Sequence, residues 1–180
     1  MRHLRIIIAL TALLTPLVGR AADKGGEFAM QGAGMLSCER FMEERKNESK
    51  VFWNIGGWID GYLTGYNNYR ADTYDITTHA PKDSASAFTS LLTGHCRENP
   101  EDRIGVVIKT LAQELHPIRL RKHSSIKDVN IDGDSYQIYE KTLTKMQRIL
   151  QRRGEYDGEV DGEYGPKMRN ALTRILHAVA

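Results

Sequence analysis

Residues 153–167 read Arg153-Gly154-Glu155-Tyr156-Asp157-Gly158-Glu159-Val160-Asp161-Gly162-Glu163-Tyr164-Gly165-Pro166-Lys167. Four glycines, Gly154, Gly158, Gly162 and Gly165, are spaced by acidic and aromatic residues, and an amphipathic helical pattern lies on each side. Glycine supplies positive-φ turns, aspartate closes Asx turns, and proline opens a helix at its first position. The stretch therefore predicts a helix stop, a tight ordered loop and a helix restart. Its side chains are the leading functional candidates.

Working outward, the restart at Pro166 runs to about Ala178, with Met168, Leu172, Ile175 and Leu176 apolar. Upstream, Tyr139, Leu143, Met146, Ile149 and Leu150 lie inward on a helix predicted from Tyr136 to Leu150. Residues 136–180 would form a unit of 45 residues, small for independent folding. Residues 117–135 read as a linker. Arg119, Arg121, Lys122 and His123 make it basic, either as a solvated connector or as a contact for an anionic polymer. Asp128-Val129-Asn130-Ile131-Asp132-Gly133-Asp134 resembles the opening of an EF-hand loop, but Tyr139 would stand at the twelfth position and no clear helix enters. An Asx-rich turn is the simpler reading, with no metal.

Residues 33–116 carry four helical patterns. The first starts at Ser37 and runs to about Asn47, with Phe41 and Met42 on the face of Cys38, and Glu43 to Glu48 as a solvated end. In the second, Phe52, Ile55, Ile59, Tyr62 and Tyr66 form one apolar stripe. Gly57, Gly61 and Gly65 repeat every four residues on another face. They imply either a close-packed neighbour or an aromatic-walled partner groove lined by Trp58, Tyr62 and Tyr66. A loop spans Asn67 to Lys82; a third helix is capped by Asp83 or Ser84 and reaches Cys96. The fourth carries Ile104, Val107, Ile108, Leu111 and Leu115 and stops before Pro117.

Residues 1–22 have the layout of a secretory signal peptide: Arg2, His3 and Arg5, an apolar run from Ile6 to Val18, then Gly19, Ala21 and Ala22. Cleavage is expected after Ala21 or Ala22, and residues 23–34 read as a flexible lead-in. In an exported chain Cys38 and Cys96, the only 2 cysteines, read as a disulfide. The formal net charge is +2, but without the three arginines of the signal the balance is 22 basic to 23 acidic residues. That balance argues against nucleic-acid or membrane-surface binding. The fold class expected is all-α: a disulfide-pinned four-helix domain and a small C-terminal three-helix domain, in the periplasm.

Two resemblances sharpen this. Met146-Gln147-Arg148-Ile149-Leu150, then Gly154-x-Tyr156-x-Gly158-x-Val160-Asp161-Gly162-x-Tyr164-Gly165-Pro166-Lys167, with Arg169, Ala171 and Leu172, resembles the type 1 peptidoglycan-binding domain, a three-helix module appended to many cell-wall hydrolases. Met168 stands where the family usually has Thr, and Ile175-Leu176 where it usually has Phe-Gln. The resemblance implies peptidoglycan as partner and Tyr156, Asp157, Asp161, Tyr164, Gly165, Lys167 and Arg169 as ligand-binding residues. The tyrosines could stack on sugars or stem peptides, the aspartates accept hydrogen bonds, and the cations pair with carboxylates. Each also has a plain structural reading, as core, turn cap or solvated charge. Cys38, Trp58-x-x-Gly61-Tyr62-x-x-Gly65 and Cys96-x-x-Asn99-Pro100 resemble HdeA-type acid-stress chaperones and the related immunity proteins that neutralise type VI secretion amidases. That resemblance implies a protein partner.

No catalytic constellation is legible. Glu155, Asp157, Glu159, Asp161 and Glu163 crowd one short loop, whereas glycosidases set two carboxylates across a bound sugar. The histidines lack metal-ligand spacing, and no cofactor is implied. The sequence therefore predicts a non-catalytic periplasmic protein whose C-terminal module holds a helical interaction domain at the cell wall. The alternative is a periplasmic protein-interaction module, either an immunity protein against a wall-degrading effector or an acid-stress chaperone.

Overall fold

A computed structural model describes residues 28–77, 84–131 and 133–179. The signal-peptide reading of residues 1–22 lies outside these. Six α-helices and one hairpin form the described chain: α1 (Cys38–Lys46), α2 (Lys50–Tyr69), α3 (Ser84–Glu98), α4 (Ile104–Leu115), β1 (Ile126–Ile131), β2 (Asp134–Tyr139), α5 (Glu140–Arg152) and α6 (Pro166–Val179). None of these helices is long and apolar enough to cross a membrane.

Helices α1 to α4 enclose one core. Ser37 caps α1 by accepting from the Arg40 amide (3.2 Å), and Ser49 caps α2 through the Phe52 amide (3.1 Å). Cys38, Phe41, Ile55, Ile59, Phe88, Leu92, Ile104 and Ile108 are buried together, as their 3/4 spacing predicts. Cys38 and Cys96 form a disulfide with their Cα atoms 4.9 Å apart. The start of α1 is further tied to the turn before α4: Cys38 N donates to Asp102 O (2.7 Å) and Glu39 N to Pro100 O (2.9 Å). These bonds satisfy amides that a helix start leaves without intrahelical partners.

Three local expectations change. Glu44 is buried rather than solvated, because Arg40 and the Ser49 hydroxyl both reach its carboxylate. Within the lead-in, Gly32–Met35 forms a 3₁₀ turn and Ala33 is buried. A Cβ at Gly34 would stand 2.3 Å from the Trp58 ring, so only glycine admits this contact. At Gly57, Gly61 and Gly65, by contrast, an added Cβ would meet nothing within 4 Å. The repeated glycines face open space instead of a close-packed helix.

The all-α expectation also gives way, because the chain contains a two-stranded antiparallel sheet. Ile131 pairs with Asp134, and Gly133 just before the second strand turns the chain at φ +94°. Val129 and Ile131 face inward and join Leu143, Leu150, Tyr156, Met168, Ala171 and Leu172 in a second core. The C-terminal unit is thus a hairpin with two helices, not three helices. Residues 126–131 of the expected linker are a strand, and Tyr139 ends β2 instead of lying on a helix. The EF-hand-like string falls on this hairpin, with Asp128 accepting from Gln137 Nε2 across the strands (3.0 Å). Among the described residues, no group of three or more His, Cys, Asp or Glu could hold a metal ion.

The two units meet along a polar seam. Tyr139 donates to Asp75 Oδ2 (2.7 Å), while Asp75 Oδ1 accepts from Thr77 N (2.9 Å), Thr77 Oγ1 (2.8 Å) and Asn67 Nδ2 (3.2 Å). Burial and the neighbouring Asp75 carboxylate push the Tyr139 phenol far above its ordinary range. Leu120 exchanges backbone bonds with Asp75 (2.8 and 3.1 Å). The basic connector is engaged too: Arg119 Nε donates to Thr73 Oγ1 (3.1 Å), and Arg121 pairs with Asp72 (3.4 Å).

Candidate functional site

The loop between α5 and α6 is organised by one side chain. Gln147 sits on the buried face of α5 between Leu143 and Leu150 and is fully buried. Its Oε1 accepts from Gly162 N (2.8 Å), and its Nε2 donates to Asp161 Oδ1 (2.9 Å) and Glu163 O (3.0 Å). A buried amide that pairs both its donor and its acceptor fixes the backbone around it. Gly162 accepts this position at φ +78°, and a Cβ there would stand 2.7 Å from Glu140 Cγ and Thr144 Oγ1. Asp161 Oδ1 also accepts from the Glu163 amide (2.9 Å), closing an Asx turn. The Glu163 amide, then the Gln147 amide, hold the Asp161 carboxyl below the ordinary range; Lys127 adds a smaller pull in the same direction.

The folded loop leaves a cavity of about 390 Å³. Five of the seven residues singled out from the sequence line it: Tyr156, Asp157, Asp161, Gly165 and Lys167. Glu159, Glu163 and Pro166 complete most of the remaining wall. Lys167 and Asp157 form a loose pair at 3.6 Å, with side chains 61% and 87% exposed. An ion pair so solvated is worth little, and a ligand bearing its own charges could replace it at little cost. Glu163 bonds Lys127 of β1 (2.5 Å), and this contact raises the lysine's pKa.

Two tyrosines are more structural than ligand-facing. Tyr156 is 9% exposed and donates to Glu159 O (2.8 Å). A Cβ at Gly158 would stand 2.2 Å from its hydroxyl, so Gly158 makes room for the phenol. Burial raises its pKa. Only part of Tyr156 is available to the cavity. Tyr164 is half-buried, donates to Asn130 O and so fastens the loop to β1; Arg169 lies over its ring at 5.8 Å. Neither Tyr164 nor Arg169 lines the cavity. Met168 is fully buried in the second core and also backs the cavity, where it offers only apolar packing.

The aromatic groove expected on α2 is largely filled. Trp58 and Tyr62 stack at 5.7 Å, and Trp58 Nε1 donates to Gln31 O (2.9 Å). The Tyr66 hydroxyl meets His116 Nδ1 at 2.9 Å. All three rings are half-buried and pack against the first core.

Gln147, the organiser of the site, was legible only as a polar residue on an otherwise apolar stripe, at Leu143 plus four and Leu150 minus three. Lys127 carried no local signal, because its role depends on where the hairpin packs. Compared with known proteins, the chain matches no family model, no curated protein and no solved structure.

Proposed function

We propose that this chain is a non-catalytic peptidoglycan-binding protein of the periplasm, with the 156–167 loop as its ligand surface. The observation that carries this reading is the shared cavity of Asp157, Asp161 and Lys167 beside the edge of Tyr156. Murein stem peptides present both ammonium and carboxylate groups. A wall offering carboxylates and one exposed ammonium complements both. The mixed charge favours a zwitterionic peptide over a uniformly anionic polymer. Asp157, Asp161 and Glu163 are each engaged with a donor of this chain, which suits binding better than proton transfer. The protein-interaction alternative has weaker support, since Trp58, Tyr62 and Tyr66 already contact Gln31, one another and His116 within the chain.

Sedimentation with purified sacculi tests the reading. Wild-type protein is expected in the pellet, and an Asp157→Ala/Lys167→Ala double variant in the supernatant. These two side chains are exposed and spare the Gln147 scaffold, so the loop should persist. Equal sedimentation of both proteins, or none of either, would sink the proposal.

A further inference from the structure

A second cleft lies on the other unit, where the C-terminal end of α2 faces the loop that follows it. Its volume is about 550 Å³, and Thr64, Gly65, Asn68, Tyr69, Thr73 and Tyr74 line it with Asn67. None of these side chains is charged. Tyr69 is 87% exposed and Tyr74 40% exposed. Two solvent-facing phenols thus stand beside two amides and two hydroxyls. Exposed aromatic rings carry an apolar face that water solvates poorly, and a polar tip that needs a partner.

The walls of the cleft are held by contacts within the chain. One wall is helix α2. On the other, the Tyr74 ring is held edge-on between His123 (5.3 Å) and Tyr139 (6.1 Å), and its amide donates to Leu120 O (2.7 Å). Thr73 is fixed by Arg119 (3.1 Å). The Asn68 side chain and the Tyr69 and Tyr74 hydroxyls make no hydrogen bond within the described residues. The floor at Gly65 is open, with nothing within 4 Å of an added Cβ. A pre-formed site that combines apolar faces with a few unspent donors and acceptors is the usual form of a small-ligand site. With no charged lining, the complementary ligand is neutral. It must offer a flat apolar face for the rings and a rim of hydroxyls for the amide and phenols.

We propose that this cleft binds a neutral pyranose oligosaccharide. The sugar's C–H face stacks on Tyr69 and Tyr74, and its hydroxyls pair with the Asn68 amide and the two phenol hydroxyls. The site is separate from the 156–167 loop and does not rest on the reading of that loop.

The test is a titration of the full chain followed by aromatic ¹H–¹³C NMR, with β-1,4-linked tetrasaccharides of glucose or N-acetylglucosamine as probes. At about 10 mM, enough to populate even a millimolar complex, at least one probe is expected to shift the Tyr69 and Tyr74 ring signals. A shift with the acetamido sugar alone assigns the site to amino-sugar polymers; a shift with both assigns it to β-linked pyranose strands generally. Gly65→Leu should abolish the shifts, because it fills the floor while replacing a poor helix former with a good one. Its loss of binding cannot therefore be ascribed to a broken helix. Asp157→Ala/Lys167→Ala should leave the shifts unchanged, which separates this site from the loop. Silence of both tyrosines with both sugars would overturn the proposal, as would shifts that survive in Gly65→Leu.

Discussion

Gln147 has no exposed surface, and both ends of its amide are engaged by the loop it supports. Truncation to alanine would strand Gly162 N and Glu163 O and leave a cavity under the loop. Each stranded buried group costs about 1–3 kcal/mol, so Gln147→Ala should destabilise the C-terminal unit by about 3 kcal/mol. Urea unfolding followed at Tyr156 or Tyr164 would register it, with the disulfide-pinned core unfolding as before. Asp161 makes a different prediction. Its carboxyl is held below the ordinary range, so the charged form favours the folded state above the unfolded value of about 3.9. That contribution is present near neutral pH and disappears as pH falls through the lowered folded value. Asp161→Asn keeps an acceptor for Gln147 and Glu163 but loses the charge. Its melting point should therefore lie below wild type at about pH 7 and converge with it as pH falls through the lowered folded value. A constant gap across that range would refute the electrostatic account.

The sequence places the apolar stripe of helix α2, but of the two readings of its glycines the close-packed neighbour is the one the structure excludes. Phe52, Ile55, Ile59 and Leu63 could be assigned to a core because burial follows a period of 3.6 residues. Whether Gly57, Gly61 and Gly65 meet a neighbour depends on how the other helices are arranged around α2, which periodicity does not encode. Because their Cβ positions are open, alanine should be accepted without a clash. Gly57→Ala and Gly61→Ala should each stabilise the protein by up to about 1 kcal/mol, through better helix propensity alone. Thermal melts of the single variants and the pair would check this, and a destabilised variant would show that something packs on that face. The hairpin was missed for another reason. Asp132-Gly133 between Val129/Ile131 and Tyr136/Ile138 is a strong two-residue turn signal, but the same aspartates also fit a cation loop, and Tyr136 and Tyr139 fit the start of the following helix.

Asp75 and Tyr139 join the two cores and lie 64 positions apart in the chain. Tyr139→Phe removes one donor from the Asp75 carboxylate and leaves the ring packing in place. A hydrogen bond to a carboxylate of this kind contributes about 1.5–3 kcal/mol. The variant should melt lower and be cut faster by protease in residues 119–125, while wild type stays protected. Unchanged proteolysis would mean that the Leu120–Asp75 backbone pairing holds the seam without the phenol. The same arrangement accounts for the basic connector. Arg119 is engaged by Thr73 and the Asp72 carbonyl, whereas Arg121 makes only a loose, solvent-exposed pair with Asp72.

Local order along the chain was written in its residues. The helix start at Ser37, the inward stripes and the tight loop from Gly154 to Pro166 all follow from neighbours within a few positions, and the Cys38–Cys96 pair follows from there being no other cysteine. Those features depend on backbone geometry and short-range capping, which sequence spacing specifies. Tertiary packing decided which candidates meet. It gathered Asp157, Asp161 and Lys167 around one cavity, buried the Tyr156 hydroxyl, and turned Tyr164 onto β1. It also spent Trp58 and Tyr66 on Gln31 and His116, and left Tyr69 and Tyr74 facing solvent. Contacts of this kind join residues tens of positions apart, and their free energy depends on shared burial and paired hydrogen bonds that no single segment contains.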